Sequence, residues 1–156
     1  MEKTNVSRLL DVENINYEMK EYDKNIVDGL SVAKTLNENA EQVFKTLVTI
    51  SNNKEYFVFV VPVNKTLDLK KASKATNSKS IEMIPQKQLL PLTGYIHGGC
   101  SPIGMKKKFE TIIDETAQIF DYIYVSAGKI GYQIKINPND LIRFINGKYF
   151  DICKEI

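Results

Sequence analysis

A short loop holds the residues best suited to chemistry. Residues 95–108 contain three glycines and a proline between apolar neighbours, and they end in three consecutive lysines. This composition excludes a regular helix or a central strand and predicts a fixed loop. Because glycine has no side chain and adopts positive φ easily, the backbone at Gly98 and Gly99 can approach a ligand closely. The lysines that follow indicate an anionic ligand.

Lys45 is the second residue of interest, because it stands where an apolar, β-prone segment begins. An ammonium group that faces a core is costly unless it is paired. Such a lysine therefore either binds an anion or extends its stem to the surface. We predict that Lys45 and the glycine loop face each other across one site. Ser126, in the turn after residues 123–125, is a candidate hydroxyl donor to the same site.

The loop has other interpretations. Gly99 and Gly104 have the spacing of a phosphate-binding P-loop, but Met105 stands where that motif has its lysine. No serine or threonine follows Lys106, so we reject ATP binding. A loop that offers amides to a carbonyl or oxyanion remains, and so does a purely structural turn.

Cys100 and His97 are three residues apart in this loop, which raises the possibility of a cysteine nucleophile. A catalytic pair normally needs a third, orienting group as well. A small buried cysteine and an ordinary loop histidine are the interpretations that we favour.

The elements that must position these residues mix hairpins with helices, so the sequence predicts the α+β class. An uninterrupted apolar run at residues 57–61 predicts a strand that is covered on both faces. The expected helices are a first one with the apolar face Val6, Leu9, Leu10 and Val12, and others at 32–36, 68–75 and 140–144, the last with Pro138 at its start. The expected strands cover residues 15–22, 44–50, 56–63, 81–84, 111–114, 122–125 and 132–136, and a Gln/Leu segment ends at Pro91.

Composition narrows the class of protein. The 156 residues, 43% hydrophobic and 26% charged, fit one soluble globular domain spanning residues 1–156. No apolar run approaches the roughly 20 residues that cross a bilayer, and the N-terminus is unlike a signal peptide, so we expect a cytoplasmic protein without a membrane partner. A net charge of +2 argues against a general polyanion binder. Two distant cysteines and one histidine match no metal spacing, so we expect no metal.

Five segments taken together resemble the YbaK/EbsC family of aminoacyl-tRNA deacylases, which is similar to the editing domain inserted in bacterial prolyl-tRNA synthetases. They follow the family's order and span nearly the whole chain: VFKTL at 43–47, LDLKK at 67–71, TGYIHGGCSPIG at 93–104, TIID at 111–114 and IYVSAGK at 123–129. The resemblance implies an α+β fold with a mixed, partly closed β-barrel-like sheet surrounded by helices.

The resemblance also implies an activity, the hydrolysis of the ester of misacylated tRNA, most often Cys-tRNA(Pro) and in related members Ala-tRNA(Pro). No cofactor and no metal is implied. The family's site residues fall on Lys45 and the loop glycine Gly98, with Gly99 beside it, as the catalytic group, and on Tyr22, Thr46, Ser126, Ser101 and Pro102 as the substrate-binding group.

The implied partner is the acceptor end of tRNA-Pro, with prolyl-tRNA synthetase or cysteinyl-tRNA synthetase as candidate protein partners. A basic surface is expected to steer the tRNA, and its residues are Lys70, Lys71, Lys74, Lys106, Lys107 and Lys108.

Two positions depart from the family's pattern. Gln133 stands where Cys-specific members have an aspartate, and Asp28 stands where they have a pocket phenylalanine. Both departures are compatible with hydrolysis and leave the amino acid open. The alternatives are a deacylase for another small residue such as alanine, and a non-catalytic module that binds tRNA or a nucleotide.

Overall fold

Helices and strands are interspersed along residues 2–156, the part of the chain that the computed structural model describes. The strands are β1 (Tyr17–Glu21), β2 (Phe44–Ser51), β3 (Tyr56–Pro62), β4 (Lys65–Leu67), β5 (Ile81–Met83), β6 (Glu110–Asp114), β7 (Ile123–Ser126), β8 (Tyr132–Ile136), β9 (Lys148–Phe150) and β10 (Cys153–Glu155). The α-helices are α1 (Asn5–Val12), α2 (Gly29–Thr35), α3 (Leu69–Ala75), α4 (Leu89–Thr93) and α5 (Pro138–Ile145), and 3-10 helices cover Ala40–Gln42, Gln86–Gln88 and Glu115–Ile119. The predicted α+β class is confirmed.

The main sheet has five strands in the order β5-β2-β3-β6-β9. Its centre is the predicted hairpin of β2 and β3, which pair antiparallel with Lys45 opposite Val61. Strands β6 and β9 join in parallel, so the sheet is mixed. Lys45 is thus the second residue of a strand whose other neighbour, β5, pairs with it only at the far end, from Thr49 to Ser51.

Two smaller sheets adjoin the main one. Strands β1, β8 and β7 form an antiparallel sheet in that order, and β10 pairs with β4. A single parallel bridge between Val43 and Tyr124 links the start of β2 to β7. The strands therefore continue from one sheet to the next without closing into a barrel. The expected partly closed, barrel-like sheet is thus only loosely matched.

The hydrophobic core lies on both faces of β3, as the apolar run at 57–61 predicted. Val58 and Val60 belong to the larger cluster, which includes buried residues of α1, β7, β8 and α5. Phe57, Phe59 and Val61 face the other way and pack with α3. Phe59 is fully buried, and burial of such a side chain stabilises the fold by about 1.5–3 kcal/mol.

Side-chain caps fix where the helices begin. The carboxylate of Asp68 accepts hydrogen bonds from the backbone N–H groups of Lys70 and Lys71 at the start of α3. Asn137 does the same for α5, with Pro138 at its first position as predicted. These caps satisfy amides that have no partner inside the helix.

Some local predictions were wrong. Val12, expected on the apolar face of α1, is 76% exposed. Pro91 does not end the Gln/Leu segment, because proline fits within the first turn of a helix and α4 continues to Thr93. The strands β4, β9 and β10 were missed, since three residues are too few to show a clear alternation; β5, of the same length, was predicted at 81–84. Among residues 2–156, no helix has the length and apolar character that crossing a membrane requires.

Candidate functional site

A cavity of about 280 Å³ lies where β2 begins, between α2, the glycine loop and β8. Its polar and glycine lining consists of Tyr22, Asp28, Gly29, Lys45, Thr46, His97, Gly98, Cys100, Ser126 and Gln133. Its apolar lining includes Val27, Val32, Val43, Phe44, Leu47, Val63 and Leu89. The structure therefore brings Lys45 and the loop at Gly98 together around one space.

Lys45 lines this cavity and is partly buried. Burial lowers its pKa from the ordinary lysine value, and the Cys153 thiol opposes that shift. No carboxylate among the described residues forms an ion pair with it. A partly desolvated, unpaired cation at the wall of a cavity attracts an anionic ligand.

The glycine loop is held in one conformation by its own hydrogen bonds. The Tyr95 hydroxyl donates to the carbonyl of Ile103, which ties the two ends of the loop together. Gly98 has φ +90°, a left-handed conformation that a side chain would disfavour. Within residues 2–156, the N–H groups of Gly98 and Cys100 donate to no backbone carbonyl, and both residues line the cavity.

Gly99 was expected to offer its amide to a ligand, but the structure gives it a role within the loop. Its N–H donates to the carbonyl of Ile96 at 3.0 Å, so it is not free to face a substrate carbonyl. A Cβ on Gly99 would lie 3.1 Å from the backbone nitrogen of Ile130. The missing side chain therefore lets the loop pack against the turn before β8.

Two polar side chains in the cavity wall have unpaired oxygens. Thr46 Oγ1 and Gln133 Oε1 are buried and find no hydrogen-bond partner within the described chain. Gln133 is 6% exposed. A buried polar atom without a partner costs about 1–3 kcal/mol, so this arrangement favours a ligand that supplies hydrogen-bonding groups.

Tyr22 and Ser126 also reach the cavity, as expected. The backbone N–H of Tyr22 donates to Gly131 O at 2.8 Å, which fixes the end of β1 beside β8. Ser126 Oγ accepts the Gly128 N–H at 3.1 Å. The serine hydroxyl is thus held by its own turn while its hydrogen remains available to a ligand.

Asp28, one of the two departures, lies at the start of α2. Its carboxylate accepts the backbone N–H of Ser31 at 3.1 Å and caps the helix. Hydrogen bonds from Ser31 hold the pKa of this carboxyl below its usual value. Asp28 therefore places a negative charge at the cavity wall and is also the N-cap residue of α2.

The structure does not bring Ser101 and Pro102 to the cavity. Ser101 is fully buried, and its Oγ accepts the Ile103 N–H at 3.2 Å. Pro102 lines a separate groove together with Lys107. Both residues therefore belong to the part of the loop that does not line the cavity.

The expected basic surface is divided in two. Lys70 and Lys71 belong to α3, which covers the Phe59 face of the main sheet. Lys71 is engaged there, because its Nζ lies 3.1 Å from Asp151 and donates to Cys153 O at 2.8 Å. Lys106 and Lys107 are exposed in a segment whose flanking residues, Met105 and Phe109, pack against the opposite core.

Cys100 is a buried thiol. It is 9% exposed, and burial raises its pKa to about 12. A thiol that holds its proton so firmly is a poor nucleophile. Among residues 2–156, no group of three His, Cys, Asp or Glu side chains is placed to hold a metal ion.

Sequence reasoning selected residues 43–47 and the position of Asp28, next to Val27, but gave no reason to select the rest of the apolar lining. Val32, Val63 and Leu89 come from three separate segments. A valine or leucine that lines a cavity looks in the sequence like any core residue, so no signal distinguished them.

Residues 24–144 match the family model described as the aminoacyl-tRNA editing domain. The chain belongs to this family. A relative of this editing domain in Enterococcus faecalis (strain ATCC 700802 / V583) is named as a proposed Cys-tRNA(Pro)/Cys-tRNA(Cys) deacylase, EbsC. The two are 43% identical over 155 residues, which cover 97% of this chain and 93% of that protein. The resemblance to the YbaK/EbsC family is confirmed.

Solved structures share the fold of this editing domain. The hypothetical protein APE2540 matches with a TM-score of 0.90 at 16% identity, over 97% of this chain and all of that one (100%). A proposed trans-editing enzyme for prolyl tRNA synthetase matches with a TM-score of 0.84 at 18% identity, over 98% and 99% of the two chains. At these identities the likeness concerns the fold.

Proposed function

We propose that this editing domain, acting as a single unit over residues 1–156, removes cysteine from misacylated tRNA in the cytoplasm, with Cys-tRNA(Pro) as its main substrate. The reaction is hydrolysis of the ester between the amino acid and the terminal ribose. The observation that carries the proposal is the unpaired, partly buried ammonium of Lys45, in one cavity with the amides of Gly98 and Cys100.

Lys45 supplies the anion contact. The acceptor end of tRNA brings a phosphate to within one nucleotide of the ester, and an ammonium group binds phosphate as a point charge. Within residues 2–156 no carboxylate forms an ion pair with this lysine, although Asp28 lines the same cavity. Contact between Lys45 and the terminal phosphate would hold the ester inside the cavity, and such positioning lowers the barrier for a bond that is already activated.

The loop amides supply the oxyanion contact. As the ester carbonyl is attacked, its oxygen gains negative charge, and backbone N–H groups fixed in advance stabilise that charge. Gly98 and Cys100 have such groups without backbone acceptors in residues 2–156. In this proposal the backbone N–H of Cys100, and not that of Gly99, donates to the oxyanion together with Gly98.

In this proposal the cysteine of the substrate supplies the nucleophile. Its thiol sulfur attacks the carbonyl carbon, a C–S bond forms, and the C–O bond to the ribose breaks. The thiol proton goes to the leaving ribose oxygen through solvent. The released thiolactone then adds water and opens to free cysteine. Tyr22, Thr46, Ser126 and Gln133 would shape the small pocket that orients the acyl group.

Alanine is the alternative acyl group, as the family resemblance implies. Because alanine has no thiol, its removal would require attack by water. Gln133 and Asp28 bear on the choice between cysteine and alanine, since both line the cavity.

Selectivity for the tRNA is a separate matter. A partner synthetase, either prolyl-tRNA or cysteinyl-tRNA synthetase, would supply tRNA selectivity that a small domain lacks. The name of the Enterococcus relative pairs cysteine with two tRNAs, which fits recognition of the amino acid more than of the tRNA body.

The test is release of amino acid from purified Cys-tRNA(Pro), Ala-tRNA(Pro) and Cys-tRNA(Cys). It compares the native protein with Lys45→Ala and with the control Lys79→Ala, an exposed lysine outside the cavity. We expect rapid loss of cysteine from both tRNAs and little loss of alanine. We expect Lys45→Ala to reduce the rate by a factor of about 10², and Lys79→Ala to leave it unchanged.

Three results would contradict the proposal. Faster release of alanine than of cysteine would assign the protein to the other acyl group. Equal rates for Lys45→Ala and native protein would remove Lys45 from the mechanism. Folded protein that binds tRNA and releases none of the three amino acids would establish the non-catalytic alternative.

A further inference from the structure

A second cavity, of about 220 Å³, adjoins the first along β2. The two share Thr46, Leu47, Leu89 and His97 in their lining. The second cavity alone includes Val48, Met83, Ile84 and Gln86. It is therefore a mostly apolar slot that shares a wall with the site of the proposed chemistry.

Residues 46–48 of β2 line this slot, and the edge of β2 is partly unpaired there. Strand β5 pairs with β2 from Thr49 to Ser51, and one further bond follows, from Ile84 N to Val48 O at 3.3 Å. Pro85 comes next and leads into the 3-10 helix at Gln86–Gln88. Because proline has no N–H and the chain turns away there, pairing stops.

The strand register shows which backbone groups are left open. In an antiparallel pair, alternate residues exchange both hydrogen bonds with the partner, and the residues between them direct theirs outward. Val43 O accepts from Val63 N, so Val43 faces β3. Val48 O accepts from Ile84 N, so Val48 faces outward. By the same alternation the N–H and C=O of Thr46 point outward, and none of the described strands pairs with them.

We propose that this slot binds the adenine base of the 3′-terminal nucleotide. Adenine combines an amino group that donates with ring nitrogens that accept, which complements a neighbouring strand-edge C=O and N–H. Its flat faces suit apolar and histidine walls, because proteins commonly stack unpaired bases on such side chains. Met83, Leu89 and His97 supply those walls.

This assignment rests on the proposed function and gives the two cavities separate tasks. The first holds the ester, since it contains the ammonium, the loop amides and the unpaired oxygens of Thr46 and Gln133. The second holds the base, since only Gln86, Thr46 and His97 are polar among its lining residues. Thr46 lies where the two cavities meet.

The first arm of the test uses substrate analogues. Cysteine esters of RNA minihelices ending in adenosine, in inosine or in unsubstituted purine riboside are compared as substrates. Loss of one hydrogen bond predicts a decrease in kcat/KM of about tenfold for purine riboside. Inosine should be at least as poor, because its oxygen would face the Thr46 carbonyl. Equal kcat/KM for all three would overturn the base site and leave deacylation standing.

The second arm does not need catalysis. Adenosine 5′-monophosphate, titrated into ¹⁵N-labelled protein, should shift the amide resonances of Thr46 and Ile84, and inosine 5′-monophosphate should shift them less. If no ester is hydrolysed and this difference is still seen, the base site stands and the proposed function fails. Equal shifts with the two nucleotides, or none with either, would overturn the base site.

A side-chain variant completes the test. Met83 is 46% exposed, so Met83→Ala should fold normally. It should raise KM about threefold to tenfold and leave kcat nearly unchanged, since it removes stacking that ground state and transition state share. Ile119→Ala, at a 75% exposed isoleucine outside both cavities, is the matched control. Identical KM values for the two variants would count against the slot.

Discussion

Gly98 packs against Val27, such that a Cβ built on Gly98 would lie 3.4 Å from the Cβ of Val27. The two residues line the same cavity from opposite segments, one from the glycine loop and one from the chain before α2. This contact joins the loop that offers amides to the element that holds Asp28. The conformation of one glycine therefore sets part of the shape of the cavity.

Gly98→Ala should damage the site more than the fold. Alanine at φ +90° costs about 1–2 kcal/mol, and relief of that strain would move the loop amides. We expect a loss of about 1–2 kcal/mol in the free energy of unfolding and at least a tenfold lower kcat/KM. The control is Gly94→Ala, at φ +88° outside the cavity and against the flexible Lys106 side chain. Equal losses of activity in the two variants would contradict this role for Gly98.

Lys45→Met should separate stability from activity. Removing a partly buried charge that has no carboxylate partner abolishes a desolvation cost. We expect the free energy of unfolding to stay level or rise by about 0.5–1 kcal/mol, while the rate of hydrolysis falls by a factor of about 10². Chemical denaturation and a deacylation assay on the same preparation provide the comparison. A marked loss of stability would show that Lys45 has a structural partner instead.

The pH dependence should reveal the state of Lys45. Burial lowers its folded-state pKa below the ordinary 10.5, so the folded protein loses this proton before the unfolded chain does. Between those two values stability should rise with pH, while binding of the tRNA phosphate weakens. KM measured from pH 7 upward, with spontaneous ester hydrolysis subtracted, should begin to rise below pH 10.5. Lys45→Arg should remove that rise, because arginine stays charged.

Cys100→Ala should keep its activity. The thiol has a pKa of about 12 and contributes no nucleophile in the proposed reaction. We expect kcat/KM within about threefold of the native value and a stability loss of roughly 1 kcal/mol from the lost burial. A hundredfold loss of activity in folded Cys100→Ala would instead support the hypothesis that Cys100 is the nucleophile.

Gln133→Leu should make the protein more stable and less selective. The variant removes a buried oxygen that has no partner in the described chain, which predicts a gain of about 1 kcal/mol. If Gln133 orients the acyl group, the preference for cysteine over alanine should fall. Gln118→Leu, at an exposed position, controls for the change in residue type. An unchanged preference would exclude Gln133 from amino-acid selection.

The sequence revealed the hairpin and the starts of two helices, because each depends on local chemistry. The β-prone segment at 44–50 and the uninterrupted apolar run at 57–61 predict β2 and β3, and Asp68 and Pro138 mark the beginnings of α3 and α5. The meeting of Lys45 with the glycine loop followed instead from the unusual residue types at the two places and from the family resemblance. Ser101 and Ser126 show the limit of this reasoning. Both follow turn-forming or apolar segments, yet one lies beneath the loop and the other lines the cavity. Which side of a loop faces a ligand depends on contacts between distant segments, and a linear pattern does not record those.

The basic surface shows the same limit. Lys70 and Lys106 were grouped because both lie in lysine-rich stretches. Their segments pack on opposite faces of β3, and that separation is decided by the order of strands in the sheet. Clusters in sequence become clusters in space only when the topology places them on one face.

The interruption at Pro85 has a consequence for solubility. An unpaired strand edge is ordinarily a template on which another chain can add a strand and begin to aggregate. Here the open stretch of β2 is short, bounded by the Val43–Tyr124 bridge at one end and by Ile84 at the other. A second polypeptide strand needs several residues in register to gain from such pairing, whereas a single planar ring needs only the groups of one residue. The gap is therefore too short to invite assembly, and in our proposal a single base occupies it.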